Sequence, residues 1–374
     1  MVDHAERRSL KRNFENSFHL CKACRSRQGL PRKGTLSASS ICYICQGIMD
    51  KLGVMAQEIH STLDGQYEFD TFLIGTSLAT QFIEKEDEVR SKYRIRGKIS
   101  IKSHITSEVR EKFQRLTSAK EVFEKPDLMI TLNIFWNKGH TISTRARSMI
   151  AAGRYTKNQR GISQREPKPQ NISNLADNRP NIANNSSVRS VEAIISDKVI
   201  AATECSGVRF SWLGSEDKNS LVLGRGRPFY VEVLNPKKRT FPNNTITVQE
   251  HHVSAQLDFL SAGFTRSPLR SRTITKILIR CPESRLEPDL KQLDSLAGTT
   301  VKLKSKFSLS EKKIYSVMVN RVDNNQFYLT IDADSGLSIK QFVGGMEYAN
   351  PNVSMLVGTN CDCVYFDILD VVVQ

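Results

Sequence analysis

Two pairs of cysteines near the start of the chain constrain its local fold more than any other feature. The pairs are Cys21-x-x-Cys24 and Cys42-x-x-Cys45, and they match the spacing of a structural zinc ribbon with four thiolate ligands. A segment this short buries little core, so a tetrahedral metal would supply its folding energy. We therefore predict one structural Zn²⁺ bound by these four side chains. Disulfide pairing is the alternative, and it is disfavoured because nothing in the sequence indicates an oxidising compartment.

The charge balance of the chain favours an acidic partner. Its 374 residues include 54 Lys and Arg against 39 Asp and Glu, a formal net charge of +15. Nucleic acid is the commonest partner of so basic a chain, and a membrane surface is the other option. No apolar run has the length of a spanning helix, and no signal sequence opens the chain. We expect a soluble, cytoplasmic protein (also nuclear if eukaryotic) of two or three domains, without an obligate protein partner.

The excess positive charge is concentrated in two stretches. Residues 1–40 hold nine Lys and Arg against three acids, and residues 138–170 hold eight against one. The cations are Arg7, Arg8, Lys11, Arg12, Lys22, Arg25, Arg27, Arg32 and Lys33, then Lys138, Arg145, Arg147, Arg154, Lys157, Arg160, Arg165 and Lys168. Solvated surface is one interpretation. The other is a long polyanion that contacts several modules and releases counterions as its phosphates are neutralised.

Hydrophobic periodicity predicts a small α+β module in the N-terminal half. The predicted elements are a helix at 48–63, a strand at 67–78, a half-buried strand at 94–105, a helix at 107–116 capped by Ser107, and a strand at 125–136.

The C-terminal half is predicted to be mainly a sheet. Residues 165–188 are rich in Asn, Ser and Pro and are predicted to form a linker. A helix follows at 190–203, and strands dominate after Cys205, with one helical stretch at 247–257 that places His251 and His252 on a polar face. The pattern favours a mixed, largely antiparallel sheet with helices on one face.

The segment "LGSEDKNSLVLGRGRPF" at 213–229 has an unusual composition. It places Asp217 a few residues before a Gly-Arg-Gly-Arg-Pro-Phe block that contains Arg227. A turn at Gly214–Ser215 is the plain interpretation of the aspartate. With the residues that follow, the segment resembles the catalytic segment of the archaeal and eukaryotic tRNA pseudouridine synthases of the Pus-ten family. The resemblance implies that Asp217 is the catalytic carboxylate.

Other segments extend the resemblance over roughly 340 residues. "GRYTKNQRGISQ" at 153–164 is similar to the family's Gly-Arg-Tyr…Arg-Gly-Ile-Pro-Gln segment. It lies in the second basic cluster, and we predict RNA contacts by Arg154, Tyr155, Lys157 and Arg160. "EKKIYSVMV" resembles a strand whose tyrosine contacts the target base, and this tyrosine corresponds to Tyr315. The four cysteines match the family's N-terminal zinc knuckles.

A third segment carries both a match and a departure. "SGLSIKQFVGG" at 335–345 is similar to the family's Tyr-Ile-Lys strand, which implies that Lys340 lies beside the catalytic carboxylate. The tyrosine of that strand is Ser338 here, and Tyr348-Ala349-Asn350 stands where the family has Gly-Arg-Thr.

The resemblance implies a fold and a domain order. The fold class is α+β, with a zinc knuckle and a THUMP-like α/β module followed by a pseudouridine synthase domain that has a mixed, mainly antiparallel sheet. We predict a zinc-binding segment at 1–58, a THUMP-like RNA-binding domain at 59–164, the linker at 165–188 and the catalytic domain at 189–374.

The implied function is an isomerase that processes tRNA, acting on uridine 55 and also on 54 if its range is wider. The reaction needs one ionised carboxylate as nucleophile or base, a neighbouring cation, and no redox or organic cofactor. Lys340 is the predicted cation, whereas the planar fork of Arg227 suits a phosphate or the extruded nucleotide. Tyr315 would stack on the extruded base.

Two other function classes compete with this one. A degenerate synthase that binds or chaperones tRNA without chemistry is supported by the two departures. A THUMP-containing methyltransferase would need a glycine-rich nucleotide loop between a strand and a helix. The block at 224–227 lacks the third glycine and runs into Pro228, which excludes that class.

Overall fold

The computed structural model describes residues 18–30, 41–166, 189–261, 270–282, 290–304, 309–345 and 347–373. The chain forms two compact units, Met1–Arg147 with Asn235–Arg239, and Ser148–Leu234 with Thr240–Gln374. Most of the predicted linker lies outside the described residues, as do seven of the clustered cations: Arg7, Arg8, Lys11, Arg12, Arg32, Lys33 and Lys168. In the described ranges, no helix is both long enough and apolar enough to cross a membrane.

The N-terminal unit packs helices on one face of a four-stranded sheet. Its described helices are α1 (Lys22–Arg27), α2 (Ile48–Leu63), α3 (Thr80–Lys92) and α4 (Ile101–Gln114). Its strands are β1 (Thr71–Leu78), β2 (Lys120–Glu121), β3 (Leu128–Phe135) and β4 (Gly139–Ala146), in the order β2-β1-β3-β4. Strand β1 is parallel to β2 and β3, whereas β4 is antiparallel to β3.

Two predicted elements of this unit are confirmed. Helix α2 covers the predicted 48–63 and buries one face. Strand β3 alternates as predicted: Leu128, Ile130, Leu132 and Ile134 all lie in the core beneath the helices. Period-2 burial on one face is the pattern that a one-sided sheet requires.

The segment at 94–105 is not a strand, which corrects the prediction. Helix α4 begins at Ile101, and the Ser100 hydroxyl accepts a hydrogen bond from the Ser103 amide at 3.1 Å. The N-cap is therefore Ser100 and not Ser107. The apparent alternation came from a short loop followed by the first turn of a helix, because Ile101 and Ile105 are also one helical turn apart and both are buried.

The C-terminal unit is built on one large mixed sheet. Its strands are β5 (Met149–Lys157), β6 (Gly207–Trp212), β7 (Val222–Leu234), β8 (Thr245–Glu250), β9 (Val253–Phe259), β10 (Ser271–Arg280), β11 (Thr300–Lys304), β12 (Leu309–Arg321), β13 (Gln326–Asp334), β14 (Ala349–Asn350) and β15 (Asp362–Val373). The order is β14-β11-β12-β13-β10-β15-β7-β5-β9-β8, and β6 also pairs with β7. All these pairs are antiparallel except β15 with β7.

Three α-helices of this unit lie in its described part. They are α5 (Val191–Thr203), α6 (Ile339–Gly344) and α7 (Val353–Val357). Helix α5 confirms the predicted helix and contacts β6, β8 and β9, while α6 contacts β15. Two hydrophobic cores result, one beneath α5 and one beneath α6 and α7. The predicted α+β class with a mainly antiparallel sheet is confirmed.

Two local predictions in this unit are wrong. Residues 247–257 form the hairpin β8–β9 and not a helix, and His251 and His252 are its turn, with φ of 46° and 62°. A two-residue hairpin turn with positive φ at both positions matches the twist of the flanking strands. The segment around Ser338 is also not a strand, because α6 begins immediately after it.

Candidate active site

The Gly-Arg-Gly-Arg block lies where β7 passes close to two neighbouring strands. Gly224 and Gly226 have φ of 58° and 78°, in the left-handed region. A Cβ on Gly224 would lie 2.3 Å from the carbonyl oxygen of Leu369 in β15, and a Cβ on Gly226 would lie 2.5 Å from that of Tyr155 in β5. Glycine is therefore required at both positions, and the block fixes the start of β7 directly after the loop that carries Asp217.

Asp217 is held by two hydrogen bonds at the mouth of a cavity. Its Oδ2 accepts from Lys340 Nζ at 2.6 Å, and its Oδ1 accepts from the Asn219 amide at 3.0 Å. The Lys340 bond is the main cause of a lowered pKa for the Asp217 carboxyl, and the Asn219 amide adds to it. The same bond raises the pKa of Lys340. The pair is therefore a carboxylate and an ammonium at neutral pH, as the sequence predicted.

The cavity beside this pair has a volume of about 320 Å³, which is within the range of volumes found for small-molecule pockets. Its wall combines the loop of Asp217 with residues of β10, β13, β15 and the start of α6. Ser338 lines it, and Thr273 and Thr275 add hydroxyl groups that the sequence did not identify. Only the alternation of polar residues in β10 could have indicated them.

A larger concavity of about 1110 Å³ lies over β5, β7, β8 and β9. Arg154 and Arg225 border it, but neither Asp217 nor Lys340 is among its lining residues in the described part of the chain. We place the site at the smaller cavity because a carboxylate paired with a cation is the group that the chemistry needs.

Tyr315 lies next to the cavity wall. Its hydroxyl donates to Asp334 Oδ1 at 3.0 Å, which is the main reason that the pKa of Tyr315 is raised, and Asp334 lines the cavity. The Arg272 guanidinium lies over the ring, 4.7 Å from its centroid. Tyr315 itself is not one of the described residues that line the cavity.

Glu216, beside Asp217 in sequence, is fully enclosed. Lys157 Nζ lies 3.0 Å from its Oε1, and Arg227 Nη1 lies 3.5 Å from its Oε2. The Tyr155 hydroxyl donates to the same Oε2 at 2.7 Å. Arg227 also donates through Nε to the Leu213 carbonyl at 3.0 Å. Arg227 lies in the cavity wall with its guanidinium engaged by protein atoms, and its contact with a phosphate or nucleotide stays a prediction.

The four predicted RNA-contacting residues differ in their accessibility. Tyr155 and Lys157 are both buried in the core, so neither presents a side chain to RNA, which corrects the prediction for these two. Arg154 donates to the carbonyls of Gly226 and Val371, at 2.8 and 2.9 Å.

Arg160, the fourth of these residues, is partly exposed. It forms a two-pronged ion pair with Asp367 at 2.7 and 2.8 Å, and its guanidinium lies 4.0 Å from the centroid of the Tyr365 ring. RNA contact by Arg154 and Arg160 stays a prediction.

The four predicted metal ligands converge in the N-terminal unit. The Sγ atoms of Cys21, Cys24, Cys42 and Cys45 all lie within 4.8 Å of one another, and all four are free thiols. A tetrahedron of thiolates around Zn²⁺ at about 2.3 Å needs sulfur atoms about 3.8 Å apart. Four cysteine sulfurs at such distances fit Zn²⁺, and they would hold it as a closed structural site without an open position for substrate.

Comparisons with known proteins identify the family of the chain. The family model "Pus10, C-terminal" matches residues 150–263 and 289–372, and the model "Pus10 THUMP domain, archaeal" matches residues 55–133. The chain belongs to the Pus10 family. The N-terminal unit thus contains a THUMP domain, and the Asp217 cavity lies in the Pus10 C-terminal region.

Curated Pus10 relatives cover most of the chain. A "tRNA pseudouridine synthase Pus10" of Nitrosopumilus maritimus is 28% identical over 347 residues, which is 92% of this chain and 89% of that protein. A protein of the same name from Cenarchaeum symbiosum is 28% identical and covers 94% and 86% of the two chains. One from Methanocaldococcus jannaschii is also 28% identical, over 88% and 75%.

One solved structure shows a weak similarity to the chain. A chain of the "Crystal Structure of a Cbf5-Nop10-Gar1 Complex" aligns with a TM-score of 0.30 and 8% identity, over 48% of this chain and 45% of that one.

Proposed function

We propose that this Pus10 family member is a tRNA pseudouridine synthase in which Asp217 is the catalytic carboxylate. The observation that carries the proposal is the Asp217–Lys340 pair at the mouth of the 320 Å³ cavity. The names of the curated relatives supply the reaction and the substrate class.

The reaction fits the groups at the site. It breaks the bond between uridine N1 and ribose C1′ and forms a bond from C5 to C1′. The proton leaves C5 and N1 gains one, so the product is an isomer and neither oxidant nor reductant is consumed. An ionised carboxylate that acts as nucleophile or base is the group that this isomerisation requires. Lys340 lowers the pKa of the Asp217 carboxyl, so the carboxylate stays ionised to a lower pH.

The substrate has to deliver its uridine to the cavity. A base in a folded tRNA must leave its stack to reach a carboxylate at a pocket mouth. We propose that the target lies in the T-loop, at position 55 or 54, and that the zinc segment (1–58), the THUMP-like domain (59–164) and the catalytic domain (189–374) contact tRNA. A role for Tyr315 against the target base rests on the resemblance of its strand.

The runner-up is a degenerate synthase that binds tRNA without chemistry. Ser338 favours it, since it lines the cavity where the family has a tyrosine. The two functions differ in a product that can be measured.

Asp217→Asn separates them. Purified wild type is incubated with bulk unmodified tRNA, and pseudouridine is quantified by mass spectrometry of the digested RNA. We expect the wild type to form pseudouridine and the variant to be slower by about 10³-fold or more, because Asn has neither the charge nor the nucleophilicity of the carboxylate. The Kd for tRNA should stay within about twofold, since the interaction lost is one of the transition state.

Asp323→Asn is a matched control. Asp323 accepts from the Asn325 amide at 2.7 Å, as Asp217 accepts from the Asn219 amide, but it lies in the turn between β12 and β13. Equal activity of the two variants would return Asp217 to the role of a turn residue. An inactive wild type that still binds tRNA would establish the binding protein instead.

A further inference from the structure

The buried charges beneath the catalytic loop are unequal in number. Two cations, Lys157 and Arg227, contact one carboxylate, Glu216, and the side chains of Lys157 and Glu216 are 0% exposed. Buried charges need close partners, since each loses its hydration. The three side chains are therefore held in close contact by their charges, and Glu216 directly precedes Asp217 in sequence.

Lys157 also holds the backbone of the loop itself. Its ammonium donates to the Ile162 carbonyl at 2.8 Å and lies 3.4 Å from the carbonyls of both Asp217 and Lys218. The Asp217 carbonyl is thus held by a cation from the core side, while the Asp217 carboxylate is held by Lys340 from the cavity side. Both the backbone and the side chain of Asp217 are therefore held in place by a lysine.

The remaining partners of Glu216 belong to the same core. The Tyr155 hydroxyl donates to Glu216 and accepts from Gln164 Nε2 at 3.0 Å, and Gln164 Nε2 also lies 3.4 Å from the Gly214 carbonyl. These contacts join β5 to both ends of the segment 214–218. Glu216 and Arg227 lie in the cavity wall, but their side chains are only 0% and 5% exposed, and their polar atoms face each other and the core. Lys157 and Glu216 therefore influence the reaction through the position of Asp217.

We propose that Lys157 and Glu216 are positioning residues that set the place of the Asp217 carboxylate relative to Lys340 and the substrate. The inference rests on the proposed function, in which Asp217 is the catalytic group. A carboxylate that must meet one atom of an extruded nucleotide is sensitive to displacements on the order of 1 Å, which cost about 10²-fold in rate.

Lys157→Met is the informative variant. It leaves one carboxylate facing one guanidinium, so the buried charges balance and the fold should survive; Glu216→Gln would leave two cations unpaired. We expect the single-turnover rate of pseudouridine formation at saturating enzyme to fall about 10²-fold. The Kd for tRNA should change less than about twofold, because Lys157 has no surface that could meet RNA.

The control is a variant of comparable stability loss elsewhere in this core. Val199→Ala removes two methyl groups from a fully buried residue of α5. Both variants are compared by urea unfolding, and rates are measured where both are folded. A loss of rate in Lys157→Met that Val199→Ala does not share supports positioning. Equal rates in the two variants would overturn it.

Tyr155→Phe tests the same idea if Lys157→Met fails to fold. It removes only the hydroxyl that contacts Glu216 and keeps the ring against Trp212 and Phe229. We expect a rate loss of about tenfold with unchanged Kd. A Tyr155→Phe protein with the wild-type rate overturns the inference. A wild type without activity overturns the proposed function and this inference with it, whereas an active wild type with fully active variants overturns the inference alone.

Discussion

The two units each contain a buried carboxylate held by two cations, and the comparison shows what such a group is used for. In the N-terminal unit Glu86 of α3 contacts Arg27 and Arg90 and accepts from Gln28 Nε2 at 2.8 Å. In the C-terminal unit Glu216 contacts Lys157, Arg227 and the Tyr155 hydroxyl. The exposed fractions of the Glu86 and Glu216 side chains are 2% and 0%.

The two groups differ in what they hold. Glu86 Oε2 accepts from the Ile101 amide at 2.9 Å, at the N-terminus of α4, where a negative charge is favoured by the helix dipole. Its partner Arg27 donates to Cys24 Sγ at 3.2 Å, so Glu86 connects the cysteine cluster to two helices. Glu216 instead lies in the loop that carries Asp217, the proposed catalytic carboxylate. A buried carboxylate with two cations thus stabilises a structural junction in one unit, and in our proposal it positions the reactive group in the other.

Removal of a zinc ligand should have the largest effect and should be confined to the first group. Native mass spectrometry is expected to show one Zn²⁺ per wild-type chain and none in Cys42→Ser. Structural zinc contributes about 10–16 kcal/mol to the folding of isolated zinc peptides. We therefore expect amide exchange protection of α2 to collapse in the variant, while the amides of β5 and β7 keep theirs.

Cys205→Ser is the matched control, since Cys205 is a half-buried thiol of the C-terminal unit. It should keep its metal and its protection. A Cys21–Cys24 disulfide without metal in the wild type would contradict the zinc assignment. The role of Glu86 in connecting a zinc site to two helices would then fail as well.

Glu86→Gln tests the junction itself. The variant leaves Arg27 buried without its carboxylate, and the removal of one partner of a buried pair costs about 3–5 kcal/mol. Urea unfolding of the N-terminal unit should show this loss. Zinc release to a chelator should also be faster, because Glu86 holds Arg27 against Cys24 Sγ, and groups that hydrogen-bond to metal ligands contribute about 10–100-fold to metal affinity.

Glu88→Gln is the control on the same helix. Glu88 pairs with Lys85 at 3.1 Å and is 49% exposed, so solvent screens the pair and its replacement should cost far less stability than that of Glu86. Equal losses in the two variants would mean that Glu86 contributes no more than a surface carboxylate, and the parallel with Glu216 would fail.

The sequence predicted the elements whose signals are local and missed those set by distant contacts. The alternation of β3 is enough to define a one-sided strand. The segment at 94–105 also alternates, but its helix starts where Glu86 binds the Ile101 amide, a contact fifteen residues apart that no local pattern contains. The prediction of a helix at 247–257 fails because the turn at His251–His252 has no Gly, Asn or Asp to mark it, so the two short strands on either side look like one continuous segment.

The same limit applies to the site. The resemblance identified Asp217 and Lys340 by their segments, and the structure brings the two together across 123 residues of sequence. The basic cluster at 138–170 predicted that Lys157 contacts RNA, because a lysine in a basic stretch is usually exposed. Its burial depends on Glu216, 59 residues later in sequence, and only the fold brings these two charges together.

The smallest expected loss of rate comes from breaking the Lys340–Asp217 ion pair, which is more exposed than the ion pairs of Glu86 and Glu216. The Lys340 side chain is 63% exposed and that of Asp217 is 28% exposed, so their ion pair contributes about 0–1 kcal/mol. Lys340→Met should therefore lower the rate of pseudouridine formation at neutral pH by less than about tenfold. By comparison, Lys157→Met acts on buried charge and should cost more.

The dependence of the reaction rate on pH tests whether Lys340 lowers the pKa of Asp217. Lys340 lowers the pKa of Asp217, so in the wild type the ionised carboxylate, and the activity that needs it, is lost only as the pH falls through that lowered value. Without Lys340 the pKa rises, and the acid limb of the single-turnover rate should move to higher pH. Lys340→Arg keeps a cation and should leave the limb in place. A limb that does not move in Lys340→Met would contradict the assignment of the lowered pKa to Lys340, and the exposed lysine would then serve only to orient the carboxylate, whose other partner is the Asn219 amide.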